Sequence, residues 1–385
     1  MDIEKSGVDD ARDEQLKSET MMITTEAALL TAVNEPLVLT KIRVDDPQPN
    51  EVRVAVSNVG LCHSDLHYMT GTVHTDLPVV VGHEVAGIVE SVGSTVTGFR
   101  PGDRVVGALT PSCGLCRNCE AGYSTQCQRG AQIRQRLRPA FQLPGGQAVE
   151  RLGDIGAFSR HILMRENSLV KVPDGVGLHV GCLLSCCIIT GVGAVFRGAR
   201  VRPGATVAVI GCGGVGSAII QGARLAGASA IVAVDLDDAR LAAARKYGAT
   251  HVVNGAADVP TEIRKMLGDG VDYSFEAVGS ARTAATALSV LRGRGTACLV
   301  GIAPDGTHLT LPASDFFFGE KRLIGSYMGS GQAHEDITQF SRLYLQGRLL
   351  LDEMVTDVIP FREINDGFEA MKSGEVTRIV ADLTV

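Results

Sequence analysis

Apolar positions along the chain change their rhythm once, near residue 203. From 21 to about 107 the apolar runs are short (51–59, 79–81, 86–92 and 104–107) and punctuated by glycine and proline, as β-strands and turns require. After Pro203, continuous apolar runs at 205–210, 230–235, 251–253, 271–275 and 296–301 alternate with stretches of helical spacing such as 238–247. A continuous run suits a strand buried on both faces, and strands alternating with helices predict a parallel, doubly wound α/β sheet. Past Tyr327 the alternation weakens. Residues 335–346 have helical spacing, 348–353 read as a turn, and the last run, 378–385, is expected to rejoin the β-rich first half.

Three segments fit neither rhythm. Residues 1–20 are polar and charged and are expected to form a flexible tail. Residues 113–127 are too rich in cysteine for a regular element, and 129–156, with Pro139, Pro144, Gly145 and Gly146, read as a long irregular loop. A fourth stretch, 180–196, is apolar over 17 residues but contains Thr190 and three glycines. A membrane span needs about 20 such residues, so this one is assigned to the core.

A chain of 385 residues predicts two or three domains. Its 45% apolar and 21% charged residues exclude a wholly disordered protein. The formal charge of −7 is concentrated in the first twenty residues, which carry seven acids against three bases. The near-neutral remainder lacks the basic excess that nucleic acid or an anionic membrane would select, so neither is expected as a partner. The start has no cationic and apolar export pattern, which leads us to expect a cytoplasmic location. Ten cysteines in a reducing compartment point to metal ligation or catalysis.

Gly211-Cys-Gly213-Gly214-Val-Gly216 follows a buried strand and opens a helix, and Asp235 ends the next strand. Gly211 permits the tight turn, Gly213 lets the backbone approach a pyrophosphate, and Gly216 allows close helix–strand packing. The anion would sit on the unpaired N–H groups of the helix start. Asp235 suits the ribose hydroxyls of NAD and would repel a 2′-phosphate, a bias that Asp237 and Asp238 reinforce.

Two sets of metal-binding residue types stand out. Cys113, Cys116, Cys119 and Cys127 offer four thiolates within fifteen residues, a set suited to tetrahedral zinc with no open position. An iron–sulfur cluster is the rival, because the first three share a ferredoxin spacing; the distant fourth cysteine argues against it. The second set is scattered: Cys62, the pair His83-Glu84, and one of Cys182, Cys186 or Cys187. Two thiolates and an imidazole would leave one zinc position open to a substrate.

Taken together, these motifs resemble the zinc-dependent alcohol dehydrogenases of the medium-chain dehydrogenase/reductase superfamily. The likeness runs from Met21 to Val385 and rests on Gly60-x-Cys62-x-Ser64-Asp65, Gly82-His83-Glu84, the four-cysteine lobe, the Pro101-Gly102-Asp103-Arg104-Val105 run, Cys186-x3-Thr190-Gly191, the glycine turn and Asp235. The resemblance implies a Rossmann dinucleotide-binding domain (188–327) inserted in a β-rich, GroES-like catalytic domain (21–187 and 328–385) that carries the structural zinc lobe at 113–127. It selects Cys186 as the third catalytic zinc ligand. Asp65 then resembles the acid that holds His83, and Glu84 the acid behind the zinc. Ser64 and His67 resemble a proton relay. His63, Arg378 and Arg240 take the place of cofactor phosphate and adenosine contacts. Thr190, Val215, Val278, Val300 and Ile302 resemble positions lining the nicotinamide, and Val73, Leu109, Leu152, Gly153, Ile302 and Tyr327 the substrate pocket.

The implied activity is reversible NAD-dependent oxidation of an alcohol, primary and either aromatic or bulky, by hydride transfer from a zinc alkoxide. The expected cofactors are a catalytic zinc, a structural zinc and NAD; the expected assembly is a homodimer, with a tetramer as the alternative. Two other readings are weighed: a thiol-adduct-dependent formaldehyde dehydrogenase on the same fold, and a zinc-stabilised binding module without catalysis. Val73 stands where the formaldehyde enzymes carry an acid, which disfavours the first.

Overall fold

The computed structural model describes residues 22–373 and 377–385, so the tail expected at 1–20 lies outside it. Among the described residues three sheets form. The first is a small closed barrel of Ile23–Leu30, Val38–Val44, Phe141–Gln142, Ala148–Arg151 and Val79–Val80. The second runs in the order Leu169–Lys171, Arg104–Gly107, Glu84–Val92, Glu51–Gly60, Ile379–Asp382 and Asp357–Pro360, with His161–Arg165 also paired to Glu51–Gly60. Most of its pairings are antiparallel, and the alternating burial of Glu51–Gly60 reflects one face turned to the core.

The third sheet is parallel throughout. Its spatial order is His251–Asn254, Ala230–Asp235, Thr206–Ile210, Val271–Glu276, Leu291–Leu299 and Arg322–Gly325. In chain order that is 3-2-1-4-5-6, the doubly wound arrangement whose crevice lies where the order reverses, beside Thr206–Ile210 and Val271–Glu276. The apolar runs at 205–210 and 230–235 are buried on both faces, as their lack of alternation predicted. Between them the helix Gly214–Leu225 packs its apolar side inward. The helix Asp238–Tyr247 is capped by the Asp237 carboxylate, which accepts from Ala239 N and Arg240 N, and stopped by Gly248 at φ +121°.

Two expectations are corrected. Residues 129–156 are not irregular throughout: they contain a helical turn, Gly130–Arg134, and the two short strands that close the barrel. Strands of two to four residues are too short to show a period. The cysteine-rich stretch likewise holds two helical turns, Arg117–Glu120 and Ser124–Gln126. The edge strand Arg322–Gly325, partly exposed, gave no apolar run to find.

The apolar stretch at 180–196 lies in the core between the parallel sheet and the rest of the protein, packed with Ile219, Ile220 and Phe340. It is not one helix. Leu178–Ser185 and Cys187–Gly198 meet at 51°, and the break falls on Cys186, whose φ and ψ of −139° and −67° are non-helical. Among the described residues no single helix is long and apolar enough to cross a membrane.

A separate core fills the barrel around Phe141, Phe158, Phe361 and Phe368, all essentially inaccessible to solvent. Phe158 packs edge-on to Phe368 at 5.8 Å, and its amide donates to Val81 O at 3.0 Å, just before the Gly82-His83 turn. Replacing Phe158 by alanine should destabilise the fold by about 3–5 kcal/mol, the cost of a large buried cavity. The check is a lower midpoint in urea-induced unfolding.

Candidate active site and dinucleotide turn

Cys62 ends the extended strand run and caps the short helix His63–Met69. The helix turns Asp65 back beneath Cys62, and this buried carboxylate makes three contacts. Its Oδ2 accepts from Cys62 N at 3.2 Å; its Oδ1 accepts from Gly82 N at 2.9 Å and faces His83 Nδ1 at 3.1 Å. Gly82, at φ +91°, lets the chain pass against Phe158, where a Cβ would collide with the Phe158 amide. With Nδ1 tied to Asp65, His83 presents Nε2 as its free ligand atom.

The broken helix brings the thiol of Cys186 to the same place. Ligand atoms of Cys62, His83, Glu84 and Cys186 lie within 4.8 Å of one another, and all four residues are buried. Glu84 uses Oε1 to accept from Arg378 Nη2 at 2.6 Å, while buried Oε2 has no hydrogen-bond partner among the described residues. Two sulfurs, an imidazole nitrogen and an orphaned carboxylate oxygen make a donor set that suits zinc. The Cys62 thiol lies well below its ordinary range, first through the Cys186 thiol and then, against the effect of burial, through His83. Burial pushes Glu84 up to about 8, with Arg378 holding it back. Cys182 and Cys187 are buried and stand outside the cluster.

The second cysteine set converges as well. A tetrahedron with zinc–sulfur bonds of about 2.3 Å has sulfur–sulfur edges of about 3.8 Å. Here the Cys116 and Cys119 sulfurs are 3.5 Å apart and those of Cys113 and Cys119 4.0 Å. Backbone N–H groups of Cys119 and Gln128 draw Cys116 down to about 6, a thiolate ready for a metal. The lobe is tied down by Asn167 Nδ2 donating to Ser112 O and Ser124 Oγ donating to Gly331 O.

At the glycine turn, Gly211 has φ +94°, and a Cβ on Gly216 would run into the Gly211 carbonyl. A Cβ on Gly213 would meet nothing within 4 Å, so the turn is open on its outer side, where an anion would lie. Asp235 buttresses it, accepting from Cys212 N at 2.7 Å and Asp237 N at 3.0 Å. Asp237 and Asp238 are engaged locally, the first as a helix cap and the second with Asn254. Arg378 reaches between the two regions. Its guanidinium donates to Leu61 O and Glu84, and its Nε lies against the backbone of Gly214.

Ser64 Oγ lies 3.6 Å from Cys62 Sγ, and His67 follows one turn later on the same helical face. His63 is exposed at the helix start, and Arg240 is placed near Asp237 at the next helix. Val278 and Ile302 are about half exposed, more than core residues would be; Val215 and Val300 are partly buried, and Thr190 is buried with its hydroxyl on Met328 Sδ. Sequence reasoning missed Glu276. This buried carboxylate accepts from Val278 N, Gly279 N and Thr283 Oγ1 and so shapes the turn that presents Val278. It also missed Ser185, whose hydroxyl accepts from Val85 N and pins the ligand-bearing strand to the broken helix. A single Glu or Ser in an apolar run carries no spacing signal.

Residues 48–174 match the sequence model of the alcohol dehydrogenase GroES-like domain, and 214–346 that of the zinc-binding dehydrogenases. Among solved structures, the chain resembles an alcohol dehydrogenase zinc-binding domain protein from Burkholderia ambifaria, at 33% identity and a TM-score of 0.90, over 94% of this chain and 99% of that one. It resembles the benzyl alcohol dehydrogenase of Acinetobacter calcoaceticus at 30% identity and a TM-score of 0.87, with the same coverage. A protein from Sinorhizobium meliloti 1021 assigned as a zinc-binding dehydrogenase and solved with NADP is 25% identical, with a TM-score of 0.79, over 94% and 100%.

Because Asp65 holds two of the four clustered residues, Asp65→Ala should weaken zinc binding at that cluster by about 10–100-fold. Competition with a chromophoric chelator measures it, and the four-cysteine lobe should keep its metal.

Proposed function

The chain belongs to the zinc-dependent alcohol dehydrogenases of the medium-chain dehydrogenase/reductase superfamily, and we propose that it oxidises a primary alcohol, aromatic or otherwise bulky, with NAD, holding one catalytic and one structural zinc. The observation that carries this reading is the buried group of Cys62, His83, Cys186 and Glu84, joined through Arg378 to the dinucleotide turn. When bound, the zinc supplies a Lewis acid for the substrate oxygen and NAD supplies the hydride acceptor.

The protein's own residues do the rest. Cys62, His83 and Cys186 hold the metal, and Asp65 fixes the tautomer of His83. Ser64 Oγ takes the hydroxyl proton as it releases its own, and His67 carries the released proton towards solvent. Val278 and Ile302 offer an apolar shelf for the nicotinamide, with Thr190, Val215 and Val300 around it, and exclude water from the reacting carbon. Arg378 and His63 balance the pyrophosphate charge, Gly211, Gly213, Gly214 and Gly216 admit it, and Arg240 flanks the adenosine. Asp235 places a carboxylate at the ribose edge, where a 2′-phosphate would be repelled, so NAD is the preferred cofactor. The relative solved with NADP informs on that protein alone.

A second copy of the chain is the proposed partner. The parallel sheet ends in the edge strand Arg322–Gly325, next to a helix that exposes Phe317 and Phe318 to 78% and 83%. Ten free cysteines, six of them in the two clusters, suit the reducing cytoplasm.

Elemental analysis should give two zinc ions per chain, and Cys62→Ser should lose one of them with a roughly thousandfold fall in kcat/KM for benzyl alcohol, the scale of a lost Lewis acid. Retained activity in that variant would end the proposal. Asp235→Ala should shift the preference for NAD over NADP by about 10–100-fold towards NADP, one to two tenfold steps for removing a like charge. Initial rates with each cofactor read it directly.

A further inference from the structure

Beside the barrel strand Ala148–Arg151 lies a cavity of about 290 Å³ that the proposed reaction does not use. Arg134, Arg136, Arg138 and Arg151 line it, together with Glu150 and Asp154. Three of these arginines come from a stretch of one-sided charge: residues 121–149 contain four arginines, no lysine and no acid.

The guanidinium charges are incompletely matched. The Arg136 side chain is only 6% exposed and meets Asp45 and Glu51, yet its buried Nη1 has no hydrogen-bond partner among the described residues. Arg138 pairs with the same Asp45, and Arg151 with Asp154. Arg134 donates to the Leu109 carbonyl, and Arg165 to Asn50 and the Gln135 carbonyl; among the described residues neither has a carboxylate in ion-pair contact. Burial lowers Arg151 from its ordinary range; Asp154 opposes the fall, and the charges of Arg136 and Arg165 add to it. Five arginines thus share four carboxylates, those of Asp45, Glu51, Glu150 and Asp154, and a further anion would suit the cavity.

The strand register places one anionic segment close by. The described chain starts at Met22, and the first strand pairs Ile23 with Val44. Val44 pairs with Phe141, and Phe141 with Val149, which lines the cavity. Three strand spacings of about 4.8 Å separate Ile23 from Val149, about 14 Å in all. Residues 1–20 carry seven acids against three bases, and Asp9, Asp10, Asp13 and Glu14 fall within six residues. The interval from Glu14 to Ile23, fully extended, spans up to about 30 Å, so the connection is long enough. A tether of this kind also keeps its acids at a roughly millimolar effective concentration.

We propose that the arginine-lined cavity is a carboxylate-binding site and that its occupant is the acidic segment 9–14 of the same chain. Arg134 and Arg138 donate to the incoming carboxylates, whose two oxygens match the paired N–H groups of a guanidinium. Arg136, held by Asp45 and Glu51, is a positioning residue that fixes the wall between them. The proposal stands apart from the catalytic reading, because it involves neither the metal donors nor the dinucleotide turn.

Tryptic cleavage after Arg12 and Lys17 of the zinc-loaded, full-length protein reads the occupancy, since a docked segment is withheld from the protease. At about 10 mM salt, Arg134→Gln combined with Arg138→Gln should speed both cleavages about tenfold over wild type, the combined worth of a few surface ion pairs. Both proteins carry the same acids around the cut bonds, so the difference reports docking alone. At about 1 M salt, where the Debye length falls from about 30 Å to about 3 Å, the two should be cut at equal rates. Succinate, added at constant ionic strength, should speed cleavage of wild type by competing for the arginines and leave the double variant unchanged. The fractional rate for wild type should hold across about a hundredfold range of protein concentration, as docking within one chain requires. Thermal unfolding checks each variant; if the double variant does not fold, Arg138→Gln alone should still speed cleavage about threefold. Equal low-salt rates in wild type and a folded variant overturn the proposal, and so does succinate without effect on wild type. A fractional rate that falls as protein concentration rises also overturns it, because the segment then occupies the cavity of a second copy.

Discussion

One buried carboxylate organises the metal centre. Asp65 sits in a fully desolvated position that would be costly for an anion without partners. Its three contacts turn that cost into geometry: an amide of the residue bearing one thiolate, the amide of the glycine before the histidine, and the histidine ring itself. Fixing Cys62 and His83 by the same group means that neither ligand has to be ordered separately when metal arrives. Cys186 reaches the cluster by a different device, a break in a buried helical run that aims one thiol away from its neighbours.

Glu84 and Arg378 extend that order to the other half of the molecule. The carboxylate gives Oε1 to Arg378 and is itself a member of the ligand group. The same guanidinium takes the carbonyl of Leu61 and lies against the glycine that starts the dinucleotide helix. A single side chain thus bridges the clustered donors and the glycine turn. Its buried charge is tolerated because an acid and a carbonyl meet it in place of water.

Much of this was legible in the residue pattern, and the reasons differ from part to part. The buried parallel strands announced themselves as unbroken apolar runs, and the four cysteines at 113–127 as a ligand spacing that chance rarely supplies. The glycine turn was readable because each glycine has a distinct steric task. The barrel strands Phe141–Gln142 and Ala148–Arg151 were hidden, being too short for a period and set among prolines and glycines. The choice among Cys182, Cys186 and Cys187 could not be made from spacing, because it depends on where the helix breaks; only the family resemblance pointed to Cys186. Glu276 and Ser185 were invisible for another reason: each acts on backbone amides, the first on those of the next turn and the second on that of Val85, a hundred positions away, and amides carry no residue signature.

The strand Ile379–Asp382 lies between Glu51–Gly60 and Asp357–Pro360, and the residue just before it, Arg378, pairs with an acid 294 positions earlier. Such pairing makes the topology strongly non-local. During synthesis the N-terminal half leaves the ribosome with this sheet two strands short and Glu84 lacking its counter-charge. The inserted parallel-sheet unit, whose last strand ends at Gly325, is complete before those strands are made. Arg378 and the strand Ile379–Asp382 therefore act as a latch, made after Cys62, His83 and Cys186.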